Sequence, residues 1–189
     1  GAGAGTRVAG LTNDEPKCLM RIGSRRLIEH ILVAARTAGV RDFVIVTGYR
    51  EDAIPRALDD GAALDVAIEY AHNPRWHDLA NGHSILVAED LLSDPFLIMM
   101  SDHLFEPRLV KTLLAAPPQA GGCRLLVDPR IDDVFDLDDA TKVESDGEGR
   151  ILAMGKNLTH YDRIDTGLFY ATKGLCAAIR EGERLGESS

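Results

Sequence analysis

The sequence predicts an α/β fold, with a mostly parallel mixed sheet flanked by helices and a small antiparallel subdomain towards its end. Three observations predict this. Short, nearly all-apolar runs such as Phe43-Val44-Ile45-Val46-Thr47 and Phe96-Leu97-Ile98-Met99-Met100 read as strands buried on both faces. They alternate with segments of helical periodicity, the pattern that builds parallel sheets. After Pro129 the chain turns to an Asp-crowded loop and short runs broken by Asp146-Gly147-Glu148-Gly149, which reads as a hairpin.

Each element has its own signal. Residues 27–38 place Ile28, Ile31, Leu32 and Ala35 on one helical face, with Gly39 at the C-terminal cap position. A strand over 43–47 follows. Next come a short helix over 54–60 with Pro55 in its first turn and a strand over 64–70. Asn81-Gly82-His83-Ser84 predicts a turn: Asn and Gly tolerate left-handed backbone and Ser84 can cap a helix over 84–92. A strand over 96–100, a helix over 107–115 and a strand over 124–127 complete the alternation. The hairpin pairs 141–144 with 150–154. A last strand over 164–171 leads into a helix from Lys173. Ligands on such sheets bind outside the carboxyl ends of the strands.

Composition narrows the function. The 189 residues carry a net charge of −9 with no run of Lys and Arg, so a nucleic-acid partner is not expected, because phosphate binding at scale needs a basic stripe. The charge is uneven: residues 1–26 are net +3, with Arg7, Lys17, Arg21, Arg25 and Arg26 against Asp14 and Glu15, while the remainder is −12. A small basic pocket for a polyphosphate fits that asymmetry, and so does a solvated positive face. Three widely spaced cysteines, Cys18, Cys123 and Cys176, point to a reducing compartment rather than a disulfide frame. No C-x-x-C pair or H-E-x-x-H pattern supports a zinc site. No apolar stretch approaches the roughly 20 residues that span a bilayer, and no signal peptide is visible.

The chemistry-bearing residues fall in four places. The first is the small-residue run Gly1-Ala2-Gly3-Ala4-Gly5-Thr6-Arg7, where backbone N–H groups can approach an anion closely. It lacks the spacing of a P-loop; by itself it reads equally as a linker. The second is Glu15-Pro16-Lys17-Cys18-Leu19, with a lysine suited to phosphate oxygens. The third is Ser101-Asp102-His103 at the carboxyl end of a buried strand. There Asp102 is the candidate Mg²⁺ ligand, since Mg²⁺ is held by one or two carboxylates plus substrate phosphates; a turn aspartate is the plain alternative. The fourth is Asn81-Gly82-His83-Ser84.

The first two segments together resemble the signature of the sugar nucleotidyltransferase family, A-G-x-G-T-R followed by P-K-x-L. Ala140-Thr141-Lys142, Gly155-Lys156-Asn157-Leu158 and Ile164-Asp165-Thr166-Gly167 follow in order. The whole set is similar to the family's cytidylyltransferases for inositol 1-phosphate. The resemblance implies the nucleotide-diphospho-sugar transferase fold, Rossmann-like, and Mg²⁺-dependent transfer of CMP from CTP to a small phosphorylated polyol. It implies that Ala2, Gly3, Ala4, Gly5 and Thr6 wrap the triphosphate, with Arg7 and Lys17 stabilising phosphate charge. Asn81, Gly82 and Ser84 would face the nucleotide. His103, Lys142, Lys156, Asp165 and Thr166 would line the acceptor pocket, and Asp102 would hold Mg²⁺. A different acceptor, phosphocholine or a hexose 1-phosphate, stays open, as does a non-catalytic nucleotide-binding module. The family also has an apolar strand before the Gly-rich loop and an Asp near its carboxyl end, neither of which lies in these 189 residues. The expectation is one nucleotidyltransferase domain, 1–189, within a longer cytoplasmic chain that can be fused to a membrane CDP-alcohol phosphotransferase.

Overall fold

The computed structural model describes residues 15–79 and 81–186. The Gly-rich run 1–7, with Ala2, Gly3, Ala4, Gly5, Thr6 and Arg7, lies outside the described residues. The described chain opens with a 3-10 turn, Lys17–Leu19, and a two-residue hairpin of β1 (Arg21–Ile22) and β2 (Arg25–Arg26). Helix α1 (Leu27–Thr37) follows directly. Glu29 in its first turn accepts the backbone N–H of Arg26 at 2.6 Å. The helix ends where Val40 donates to Ala35 at 3.0 Å and Gly39 takes φ +104°, the left-handed closure expected of a glycine there.

Strand β3 (Asp42–Thr47) and strand β4 (Ala67–His72), with α2 (Ala53–Leu58) between them, form a parallel ladder from Asp42↔Ala67 to Thr47↔His72. A β-α-β connection of this kind returns the second strand in the same direction as the first. The strand expected over 64–70 starts later, because 62–64 form a 3-10 turn bounded by Gly61 and Asp65, both left-handed. Next comes α3 (Asn81–Ala88), extended by a 3-10 turn, and then β5 (Phe96–Met99). Helix α3 begins earlier than its apolar pattern indicates. Asn81 and Gly82 are therefore helical rather than a left-handed turn, and Ser84 sits inside the helix instead of capping it.

The remaining elements are α4 (Pro107–Leu114), β6 (Cys123–Asp128), β7 (Lys142–Ser145), β8 (Ile151–Gly155), β9 (Arg163–Ala171) and α5 (Gly174–Leu185). The α/β character, with a parallel sheet and a separate antiparallel group, is as expected, but among the described residues the parallel ladder has two strands and the antiparallel group five, so the antiparallel part is larger than the small subdomain expected. Strand β9 organises the antiparallel group. Its edge facing β6 is paired from Asp128↔Ile164 to Cys123↔Ala171. At Ala171 it also pairs Phe96 of β5, and at Ile164 it pairs Lys142 of β7. Both β5 and β7 therefore lie on the edge opposite β6, β5 against 168–171 and β7 against 163–164.

Helix α1 joins two cores by presenting two faces. Ile28 and Leu32 pack with Cys18, Leu19, Ile45, Ile54 and Ile68. Leu27 and Ile31 pack with Phe105, Val110 and Leu113 around α4, and with Leu168 of β9. A third cluster sets Phe96 and Ala171 against Cys176 of α5. Helices α3 and α5 are further tied by His83 to Glu183 at 3.0 Å; Arg180 of α5 pairs with Glu89 just beyond α3. Among the described residues no helix is long and apolar enough to cross a membrane.

Candidate active site

The antiparallel ladders leave 165–167 of β9 between two partners, and the site is built on that gap. Opposite Leu125 and Val127 of β6, β9 runs from Phe169 to Asp165, four positions against two. The excess backbone is a bulge, a device that re-aims side chains next to functional sites. Gly167 makes it possible: its φ is +72°, and a Cβ there would stand 2.8 Å from Met100 Cγ and 3.3 Å from His103 Nδ1. Its carbonyl accepts the Met100 N–H at 2.9 Å, which stitches the bulge to the end of β5. Asp165 Oδ1 accepts the Gly167 N–H at 2.7 Å, and the Asp165 N–H reaches Thr141 at 2.9 Å just before β7.

Asp102 and His103 leave β5 at this point. His103 Nδ1 and Asp102 Oδ1 are 2.7 Å apart, and the imidazole stacks on Phe105 at 6.3 Å between centroids. That hydrogen bond holds the Asp102 carboxyl below its ordinary value, with the charges of His103 and Lys17 acting in the same direction. It holds the imidazole above its own ordinary value, with Asp165 assisting. Burial raises the Asp165 carboxyl. Lys17, Asp102, His103 and Asp165 thus share one electrostatic neighbourhood, although they come from three segments. The Lys17 ammonium makes no hydrogen bond or ion pair among the described residues. A cation left open beside an ionised carboxylate is suited to a phosphate and the metal that accompanies it.

The donor set fits Mg²⁺ in a limited sense. Among the described residues no group of three or more His, Cys, Asp and Glu side chains could cage a metal. Mg²⁺ needs no such cage, because it keeps several waters and takes substrate phosphates beside one or two carboxylates. Asp102, about half exposed and held towards its ionised form, meets that requirement.

The nucleotide-side candidates meet elsewhere, at the carboxyl ends of β3 and β4. Asn73, 1% exposed, follows β4. Its N–H donates to Thr47 at 2.8 Å, its Nδ2 donates to Ser84 Oγ at 3.0 Å, and its Oδ1 accepts the Arg75 N–H at 2.9 Å. One buried amide therefore ties both strand ends to the first turns of α3, where Gly82 is buried and Asn81 exposed. Sequence reasoning passed over Asn73, yet Asn73-Pro74 after an apolar run is a turn signal that could have marked it.

The acceptor-side candidates divide. Thr166 donates to the Leu126 carbonyl at 2.6 Å, so its hydroxyl secures the bulge. Lys156 reaches Asp139 at 2.6 Å and is about half exposed. Lys142 departs from expectation. It is only 7% exposed, and its ammonium donates to the carbonyls of Leu137 at 2.9 Å and Lys156 at 2.7 Å. It does not line an open pocket, because its ammonium is held by carbonyls of the loops on either side of the hairpin. Further along, a hollow of about 620 Å³ is lined by Arg130, Thr159 and Tyr161, among others. Arg130 is already held by Asp128 at 2.8 and 3.1 Å, so that hollow offers no open cation.

Comparison with known proteins agrees with this geometry. The nucleotidyl transferase family profile matches residues 1–132. The chain is 30% identical over 179 residues to the bifunctional IPC transferase and DIPP synthase of Aquifex aeolicus, covering 95% of this chain and 39% of that protein. It is 32% identical to the protein of the same name from Rubrobacter xylanophilus, covering 98% and 42%. The chain thus spans about two fifths of the length of these relatives. The solved inositol-1-phosphate CTP transferase from T. maritima superposes with a TM-score of 0.84 at 30% identity, covering all of this chain and 74% of that one. On the profile match and this structural likeness, the chain belongs to the nucleotidyl transferase family, with its nucleotide-diphospho-sugar transferase fold.

Proposed function

We propose that this chain is a Mg²⁺-dependent cytidylyltransferase that transfers CMP from CTP to inositol 1-phosphate, giving CDP-inositol and pyrophosphate. The observation that carries the reading is that Asp102, His103 and Asp165 meet at the β9 bulge while the Lys17 charge acts on the first two, in a chain similar throughout to an inositol-1-phosphate CTP transferase. An oxygen of the acceptor phosphate attacks the α-phosphorus of CTP. The new P–O bond forms as the α–β bridging bond breaks, and pyrophosphate leaves with that electron pair. The acceptor is already an anion, so no general base is required. The protein's work is then positioning and charge stabilisation.

Lys17 offers its open ammonium to the α-phosphate, a task that Arg7 of the Gly-rich segment would share on this reading. Asp102 would hold Mg²⁺, which when bound offsets the repulsion between the phosphates. His103, fixed between Asp102 and Phe105, keeps one carboxylate oxygen engaged and so orients the other. Asp165 has one oxygen committed to Gly167 and the other available to accept from a ring hydroxyl. Lys156, paired with Asp139 at 2.6 Å, would meet the acceptor phosphate on this reading. In the longer relatives this reading leaves room for a second activity, and a membrane CDP-alcohol phosphotransferase that consumes CDP-inositol is the proposed fusion partner.

The test is pyrophosphate release with Mg²⁺ across CTP, UTP, GTP and ATP, using inositol 1-phosphate, phosphocholine and glucose 1-phosphate as acceptors. Release that requires both CTP and inositol 1-phosphate is expected. Release only with another acceptor would retain nucleotidyl transfer and discard inositol; binding of CTP without any release would discard catalysis.

A further inference from the structure

We infer that Lys142 is a positioning residue that sets the Lys156–Asp139 pair for the acceptor phosphate. It is the one charged side chain among the buried described residues. Among the described residues no carboxylate pairs with it. Its ammonium instead donates to two backbone carbonyls, Leu137 at 2.9 Å and Lys156 at 2.7 Å, and lies 5.8 Å from the Tyr161 ring centroid. A buried ammonium without a counter-ion is costly compared with an apolar side chain of similar volume. Packing alone therefore does not account for a lysine here, whereas the two carbonyls do.

Those carbonyls belong to the segments that carry the pair. One is the carbonyl of Lys156 itself. The other lies two residues before Asp139, whose carboxylate meets Lys156 Nζ at 2.6 Å. A single ammonium thus fixes the backbone on both sides of the pair. It does so from the first residue of β7, which is itself registered to Ile164 beside Asp165. The staple fixes how far Lys156 stands from the β9 bulge. This rests on the reading of Lys156 as the ligand of the acceptor phosphate.

The experiment combines ¹⁵N-resolved spectra of lysine ammonium groups with steady-state kinetics. In the wild-type chain the Lys142 ammonium should exchange slowly with water, and its signal should persist near neutral pH; rapid exchange would overturn the staple without any variant being needed. In Lys142→Met the Lys156 signal should lose its response to Asp139→Asn. KM for inositol 1-phosphate should rise about tenfold while KM for CTP stays within about twofold. The double variant Lys142→Met/Lys156→Met should be no worse than Lys156→Met alone. Losses that simply add, or a Lys156 signal unchanged in Lys142→Met, would reduce Lys142 to a packing role. If the wild type turns over no inositol 1-phosphate, the functional reading fails, and the ammonium spectra still decide the staple.

Discussion

A cation and a carboxylate only exert their full effect where water does not screen them. The charge of Lys17 helps to hold the Asp102 carboxyl below its ordinary value, yet the Lys17 ammonium has no protein partner among the described residues. Lys17→Ala is therefore expected to lose about 10²–10³ in kcat, the usual cost of one charge-stabilising donor, with an unchanged circular dichroism spectrum; near-normal turnover would refute the role. A second side-chain prediction concerns pH. Asp162 accepts from Ser145 Oγ at 2.7 Å and Ser145 N at 2.8 Å, which holds its carboxyl below the ordinary value. A carboxyl depressed on folding adds stability above its unfolded value, about pH 4, and that contribution is lost as pH falls through the folded value. Asp162→Asn should accordingly flatten the acid limb of the thermal-stability profile, and equally steep limbs would exclude the linkage. Lys17, Asp102 and Asp165 were picked out because each stands in a motif, Asp102 just past the end of β5. Side-chain direction was not legible. Lys142 reads as a pocket lysine until its ammonium is seen held by two carbonyls, and Ser84 reads as a cap until α3 is seen to start three residues earlier.

At the scale of the element, the bulge in β9 matters most. Gly167→Ala forces a side chain into left-handed backbone and against Met100. Its expected cost is about 1–3 kcal/mol of unfolding free energy, together with reduced turnover, because the same backbone presents Asp165 and braces His103. Denaturant unfolding checks the first part; a variant as stable as the parent would mean that the bulge relaxes freely. Strand β3 and helix α4 were legible nearly to the residue, since a short apolar run and a proline-led amphipathic segment each admit one reading. The bulge was not legible. Nothing in Asp165-Thr166-Gly167 says which edge of the strand it faces, because that depends on partners 40 and more positions away in sequence, such as Leu126 for Thr166.

For the whole molecule, β9 and α1 decide cooperativity. Leu168 is fully buried in the cluster that joins α1, α4 and β9. Leu168→Ala should destabilise the fold by about 2–5 kcal/mol in one transition seen alike by far-ultraviolet dichroism and tryptophan fluorescence. Separate transitions for the two probes would show that the parallel ladder and the antiparallel group unfold independently. The fold class was legible at this scale, from the alternation of apolar runs and helical segments. The hand-over of β9 from β5 to β7 was not, because strand order leaves no trace in periodicity.

The β7–β8 hairpin joins the rest of the sheet through only two registered pairs, Lys142↔Ile164 and Val143↔Arg163. On the proposed reading it would serve as an exchangeable cassette. On that reading, replacing it together with the loop that Lys142 staples would alter the acceptor side while leaving the parallel ladder, α1 and the end of β5 at Asp102 in place. A lineage could thus acquire new acceptors by trading one hairpin, without rebuilding the apparatus that handles the nucleotide.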